Sequence, residues 1–244
     1  MTRHVEIMDT TLRDGEQTSG MSFSSSEKLA IAKLLIDELK VDRIEVASAR
    51  VSKGEFEAVN KITEWAKENN YLNKIEILTF LDNNISLEWL LRSGAKVQNL
   101  LTKGSLNHLT HQIKQTPKDY FKSVINAINE ADKKGIVTNV YLEDWSNGMK
   151  NSKDYVFKYL DFLTNQEVER ILLPDTLGIL SPNETFSFLS EIIMGDNVKE
   201  FTNEERSLLK FQKKQQHGQV LLLLLLLVLV YSFIRKVLLY CFCL

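Results

Sequence analysis

The stretch Asp9 to Gln17, D-T-T-L-R-D-G-E-Q, follows directly on the apolar run Val5 to Met8. The apolar run has the length and residue types of a strand, and the polar, glycine-containing segment after it reads as the loop leaving that strand. This loop sets Arg13 beside Asp14. A carboxylate is a hard oxygen donor for a divalent cation, and a guanidinium that stays charged at every relevant pH stabilises an oxyanion forming next to it. Gly15 frees the backbone for a sharp turn at this point. An ordinary surface Arg–Asp pair has the same spacing, so the meaning of the pair depends on what surrounds it.

Outward from this loop, apolar runs of strand length recur at His4 to Met8, Arg43 to Ala49, Lys74 to Leu81, Lys96 to Leu101, Val137 to Leu142 and Arg170 to Leu173. Helical stretches separate them. Ser24 and Glu27 have capping-box spacing, and Leu29, Ala32, Leu35, Ile36 and Leu39 follow as an apolar stripe in a helix predicted to run to Lys40. Lys53 to Asn69 carries Phe56, Val59, Ile62 and Trp65 on one face. Asn84 to Arg92 ends at Gly94, Thr116–Pro117 opens a helix closed by Gly135, and Ser152 to Leu163 and Pro182 to Met194 complete the set.

Strand–helix alternation with short connections argues for a parallel sheet flanked by helices, either doubly wound and open or curled into a barrel. Polar clusters follow five of the six strands: T-L-R-D-G-E-Q, A-S-A-R, T-K-G-S, E-D-W-S-N-G and D-T-L-G. Polar groups converging from the C-terminal ends of most strands are how a (β/α)8 barrel builds its site, which favours the barrel.

Composition narrows the function classes. The chain has 244 residues and a formal net charge of −2, so it carries no electrostatic footprint for nucleic acid. Its only cysteines, Cys241 and Cys243, lie in the last four residues, which leaves no disulfide framework or cysteine-rich metal site in the body of the chain. The N-terminus lacks a secretion-signal pattern, and the expected setting is cytoplasmic.

Five motifs in order now carry a family resemblance. D-T-T-L-R-D-G-E-Q, R-I-E-V-A-S-A-R-V-S-K-G-E from Arg43, N-L-L-T-K-G-S from Asn99, N-V-Y-L-E-D-W-S-N-G from Asn139 and L-P-D-T-L-G-I-L-S-P from Leu173 resemble the Claisen-condensing synthases of the pyruvate-carboxyltransferase type. These are the 2-isopropylmalate, citramalate and homocitrate synthases, and the similarity runs from about His4 to about Met194. The resemblance is strongest to citramalate synthase, and Asp14 argues against homocitrate synthase. It implies a TIM-type barrel, here incomplete with about six βα units, that condenses acetyl-CoA with a small 2-oxo acid in branched-chain amino-acid biosynthesis. It also implies a homodimer and a divalent cation (Mg, Mn or Zn).

By the same resemblance Asp14 aligns with the metal's carboxylate ligand, and Arg13 with the arginine that stabilises the enolate and alkoxide oxygens. Glu143 aligns with the glutamate that pairs with that arginine. Thr176 aligns with the threonine that binds the oxo acid's carboxylate. Leu78, Leu101 and Tyr141 align with the side chains around its substituent. A tyrosine and two leucines leave room for a methyl group rather than an isopropyl group, so pyruvate, giving citramalate, is favoured over 2-oxoisovalerate, the substrate of 2-isopropylmalate synthase. Taken alone, Leu78, Leu101 and Tyr141 are ordinary core residues, Thr176 a turn cap, and Glu143 with Asp144 a solvated loop end. His108 and His111, three apart, lie in a polar stretch where the family has no ligands.

The pattern departs from the family after Met194. The relatives continue with a strand bearing H-x-H, whose imidazoles complete the metal site; no H-x-H occurs in this chain, and His217 sits alone in a polar Lys/Gln stretch. Residues 1–195 therefore read as a partial catalytic barrel and 196–219 as a charged linker. Residues 220–244 form an apolar tail with seven consecutive leucines. The tail is interrupted by Arg235 and Lys236 before it reaches the roughly 20 apolar residues of a bilayer span. Three expectations follow: a synthase whose sequence is truncated or frame-shifted, with the tail an artefact of that change; an inactive fragment or interaction module; and a barrel fragment tethered to a membrane by its tail.

Overall fold

The computed structural model describes residues 6–194. Six strands form one all-parallel sheet: β1 (Met8–Asp9), β2 (Arg43–Ser48), β3 (Ile75–Phe80), β4 (Val97–Lys103), β5 (Val137–Glu143) and β6 (Arg170–Leu172). They lie side by side in chain order, 1-2-3-4-5-6. A doubly wound sheet reverses direction at a switch point, whereas a barrel adds each strand beside the last. The order therefore excludes the doubly wound alternative.

Curvature confirms the barrel. In a flat sheet β1 and β6 would lie about 24 Å apart, five spacings of roughly 4.8 Å. Instead Glu6, just before β1, reaches Arg170 on β6 with Oε2 3.0 Å from Nη2, and the same oxygen lies 3.1 Å from Nε of Arg43 on β2. The six strands curl far enough for their first and last members to share one carboxylate. The expected tail segments, 196–219 and 220–244, lie outside the described residues, and no described helix is long and apolar enough to cross a membrane.

The helices cover the outer face of the sheet, and their starts follow local chemistry. Ser24 caps α1 (Ser25–Lys33) in a complete capping box: its Oγ accepts from the Glu27 N–H, and its own N–H donates to Glu27 Oε2 at 2.8 Å. Ser52 caps α2 (Lys53–Glu68), and α3 (Ile85–Arg92) ends at Ser93–Gly94. A short turn, α4 (Leu106–His108), precedes α5 (Pro117–Lys133), which Thr116 caps and Pro117 starts. Then come α6 (Trp145–Asn151), α7 (Lys153–Leu163) and α8 (Pro182–Met194).

Two departures from the sequence reading have physical causes. First, α1 does not continue to Lys40 as a regular helix. A π-turn at Leu34–Glu38 shifts the phase, so Leu35 and Ile36 stay buried while Leu39, the last of the predicted stripe, is 64% exposed. Second, E-D-W-S-N-G is not an open loop: Asp144, in the left-handed region at φ 64°, turns the chain straight from β5 into α6. Two buried clusters result. One packs α1, α2 and α3 on β2 and β3; the other packs α5 to α8 on β4 and β5, with Phe121 lying against both Tyr159 (4.8 Å) and Phe162 (4.7 Å).

The glycines of T-K-G-S and W-S-N-G share one role. A Cβ on Gly104 would lie 2.6 Å from the Leu142 carbonyl oxygen, and one on Gly148 would collide with the Gly104 carbonyl and lie 2.8 Å from Val156. The backbone after β4 thus lies directly against α6. Gly148→Ala is expected to destabilise the fold by about 1–3 kcal/mol, the usual cost of overpacking a rigid backbone contact. Gly135→Ala, at a position with open space but φ +67°, is expected to cost about 1 kcal/mol. Chemical denaturation of both variants tests the ranking.

Candidate functional site

Side chains alternate across a strand, so residues two apart share a face. Glu45 on β2, Glu76 on β3, Asn99 on β4 and Asn139 on β5 all point into the lumen and are fully buried. Asn99 Nδ2 donates to Glu45 Oε1 at 2.6 Å and to Glu76 Oε2 at 2.9 Å, and its Oδ1 accepts from Asn139 Nδ2 at 2.8 Å. Arg43 Nη1 donates to Glu76 Oε1 at 2.9 Å. Two residues further along the same strands come Leu78, Leu101 and Tyr141, and beyond them Phe80, Lys103 and Glu143. Leu101 and Tyr141 are direct partners in the β4–β5 register, as are Lys103 and Glu143.

Arg13 enters this stack from the loop after β1. That loop is wound tightly on one acceptor: the N–H groups of Arg13, Asp14 and Gly15 all donate to the Thr10 carbonyl, at 3.1, 2.8 and 3.2 Å. Arg13 Nε donates to Glu45 Oε2, and Nη1 to Asp14 Oδ1 at 2.8 Å. Burial by itself would lower the guanidinium's pKa, but Glu45, with Tyr141 and Asp14 behind it, holds it raised. Burial pushes the Glu45 carboxyl up, against the opposing pull of Arg13 and Asn99. Burial, and next the charge on Glu45, likewise push the Tyr141 hydroxyl up, so it is a neutral donor beside Arg13 throughout the physiological range.

This geometry corrects one expectation. The carboxylate that holds Arg13 is Glu45, whereas Glu143 pairs with Lys103 across the β4–β5 ladder. Glu143 stands one step beyond Tyr141 toward the strand ends, while the guanidinium reaches back to the polar layer. There a buried carboxylate without a cationic partner would be costly. Glu45 is the first functional residue that the sequence reading missed. Its signal was a charged residue in the middle of an apolar strand, R-I-E-V-A.

Thr176, in the loop after β6, accepts the Asp144 N–H at 3.0 Å through its hydroxyl oxygen. The same hydroxyl donates to the Pro174 carbonyl, with a long separation of 3.5 Å. Asp144 is the second residue missed. It is buried, not solvated: Ser105 Oγ donates to its Oδ2 at 2.6 Å, Asn147 Nδ2 to its Oδ1 at 2.7 Å, and His108 Nε2 lies 3.4 Å from Oδ2. His108 thus belongs to this loop junction, and His111 bonds locally to Thr110 and Asn107.

Asp14 is largely exposed, with Arg13 on one oxygen. Among the described residues no three His, Cys, Asp or Glu side chains converge to hold a metal ion. The donor set of the described residues does not make up a complete metal site. A cavity of about 420 Å³ adjoins Arg13, walled by Gln17, Met21, Phe23, Ser48, Val51 and Ser52 among others. A larger one, about 570 Å³, lies between α3 and α5 and meets the lumen residues at Phe80, Leu101 and Lys103, so the smaller is the one next to Arg13.

Fold and site together define a TIM-type barrel segment with an Arg–Asp pair at the C-terminal ends of its strands. The profile of the HMGL-like family matches residues 4–203, and the chain belongs to that family. It is 29% identical over 194 residues to (R)-citramalate synthase of Methanocaldococcus jannaschii, a match covering 80% of this chain and 38% of that protein. It is 31% identical over 180 residues to the probable 2-isopropylmalate synthase of Ignicoccus hospitalis, covering 74% of this chain and 43% of the relative. The chain thus spans about two fifths of the length of these relatives. In fold it is similar to the HMG-CoA lyase of Bacillus subtilis, with a TM-score of 0.61 at 19% identity, covering 78% of this chain and 64% of the lyase.

Glu45→Gln separates the charge of the polar layer from its packing. A carboxyl whose pKa is raised by folding favours the fold fully below its unfolded value, near 4.5, and loses that contribution as pH rises through the folded value. The stability of the Glu45→Gln variant is therefore expected to rise relative to the parent as pH increases from about 4 upward. Urea melts at a series of pH values check this; a difference that does not vary with pH counts against it.

Proposed function

We propose that this chain is catalytic-barrel material of an acyltransferase that joins acetyl-CoA to a 2-oxo acid, with pyruvate preferred. The observation that carries the reading is the stack at Arg13. A guanidinium fixed by Glu45 lies beside the neutral Tyr141 hydroxyl, Leu101 is the register neighbour of Tyr141, and Leu78 stands in register with Asn99 of the polar network. The names of the relatives, citramalate and 2-isopropylmalate synthase, support the same reaction class.

In this chemistry the thioester methyl loses a proton and its carbon attacks the keto carbon of the oxo acid. The new C–C bond leaves an alkoxide, and hydrolysis of the thioester then makes the step irreversible. Arg13 offers charge and directed N–H donors to that developing oxygen. Thr176, whose hydroxyl has only a long 3.5 Å bond to the Pro174 carbonyl to give up, would offer its proton to the carboxylate. The divalent cation expected from the resemblance would find in Asp14 one hard-oxygen ligand among the described residues.

Substrate size is the finer part of the proposal. Leu101 and Tyr141, adjacent in register, narrow the space beside Arg13. A substituent one or two carbons larger is disfavoured by about 1–3 kcal/mol each. A second reading, binding without turnover, is favoured by the single carboxylate donor at Asp14. The setting we propose is cytoplasmic, and the assembly a homodimer.

Titration of the ¹⁵N-labelled chain with 2-oxo acids tests the proposal without requiring turnover. Pyruvate is expected to bind at least about tenfold more tightly than 2-oxoisovalerate, Arg13→Met to lose both, and Tyr141→Ala to narrow the difference. Unchanged pyruvate binding in Arg13→Met sinks the assignment. Release of CoA from acetyl-CoA and pyruvate, dependent on Arg13, decides for turnover over binding alone.

A further inference from the structure

The last acidic residues of the first two motifs, Glu16 of D-G-E-Q and Glu55 of V-S-K-G-E, have no part in the chemistry above. Both point at the same partner. Lys28, in the middle of α1, is 1% exposed, and its ammonium group meets Glu16 Oε2 at 2.5 Å, the Leu12 carbonyl at 3.2 Å, and Glu55 Oε1. An ammonium has three N–H donors. Here each has an acceptor, and the three acceptors come from the start of the Arg13 loop, its end, and the first turn of α2.

Leu12 immediately precedes Arg13, and Glu16 lies two residues after Asp14. Lys28 therefore grips the chain on both sides of the Arg13–Asp14 pair and ties it to α2. Glu16 adds a second anchor, accepting the Phe23 N–H at 2.9 Å through its other oxygen. The Thr10 carbonyl closes the turn from below. A buried ammonium costs several kcal/mol in desolvation, and apolar residues would join α1 to α2 at no such cost. What the charge adds is direction: three bonds fix where the loop lies, which packing alone does not.

We infer that Lys28 is a positioning residue whose triple clamp on Leu12, Glu16 and Glu55 holds the Arg13–Asp14 loop in its binding geometry. The functional part rests on Arg13 being the oxo-acid-binding group. Lys28 does not touch a reacting atom; it acts through the backbone of its neighbours.

The test compares the parent chain with Lys28→Arg and with the double variant Lys28→Met/Glu55→Gln, which removes the ammonium without leaving both carboxylates unpaired. Amide hydrogen exchange by NMR reads the loop directly. In the double variant the Arg13, Asp14 and Gly15 amides are expected to exchange at least about tenfold faster, while Ile62 in α2 and Val124 in α5 keep their protection. Lys28→Arg is expected to stay within about threefold of the parent, since it keeps the charge and several donors. Pyruvate binding is expected to weaken in step with the loop amides. Unchanged loop exchange, or acceleration shared equally by Ile62 and Val124, overturns the inference, the second because it marks a general loss of stability. If the loop amides respond as expected and pyruvate binds none of the proteins, the clamp stands and the proposed function fails.

Discussion

Burying the Glu45 carboxylate is the constraint on which the rest of the site depends. A fully buried carboxylate is tolerable only with a cation and hydrogen-bond donors around it. Arg13 and Asn99 supply them. Satisfying Glu45 thereby dictates where the guanidinium lies, which side of it faces Tyr141, and why Asn99 must be held in turn by Asn139. The Arg–Asp loop is thus attached to the barrel from within, through charge, and from outside, through Lys28.

Much of the fold was legible in the sequence because it is written in periodicity. Three of the six strand runs contain the observed strands; the runs ending at Leu101 and Leu142 stop two residues and one residue short of the strand ends, the first run overlaps its strand, Met8–Asp9, only at Met8, and the caps at Ser24 and Thr116 fall where their side chains require. What was not legible has physical reasons. The π-turn at Leu34–Glu38 inserts an extra residue into one turn, which a constant helical period cannot register, so Leu39 faces solvent. Lys28 reads from sequence as an exposed lysine on an amphipathic helix. Its burial depends on two carboxylates that are distant in sequence.

The site shows the same division. Arg13, Asp14, Leu101, Tyr141 and Thr176 lie in the ordered motifs and Leu78 came from the resemblance alone; the structure brings Arg13 beside Tyr141, with Leu101 next to it in register, and sets Leu78 opposite Asn99. The partnership of Arg13 with Glu143 did not hold, because pairing within a barrel is decided by layer. Glu143 and Arg13 reach different layers, and only three-dimensional register reveals this. The alternative of a solvated loop end, which a polar residue after a strand always offers, does not apply to Asp144, which is buried. Here it joins the loops after β4, β5 and β6.

The charges in the lumen have a further consequence. Arg13 and Arg43 are matched by Glu45 and Glu76, and Lys103 by Glu143. These pairs cancel, so the stack projects little field beyond its own walls. On the proposed function, an anion arriving here would not be drawn from a distance, as it would be by an unmatched cationic funnel whose pull fades with added salt. It would be recognised only on contact, by the aim of individual N–H and O–H bonds. Such a cavity would discriminate by shape and direction, without accumulating the many other small anions around it.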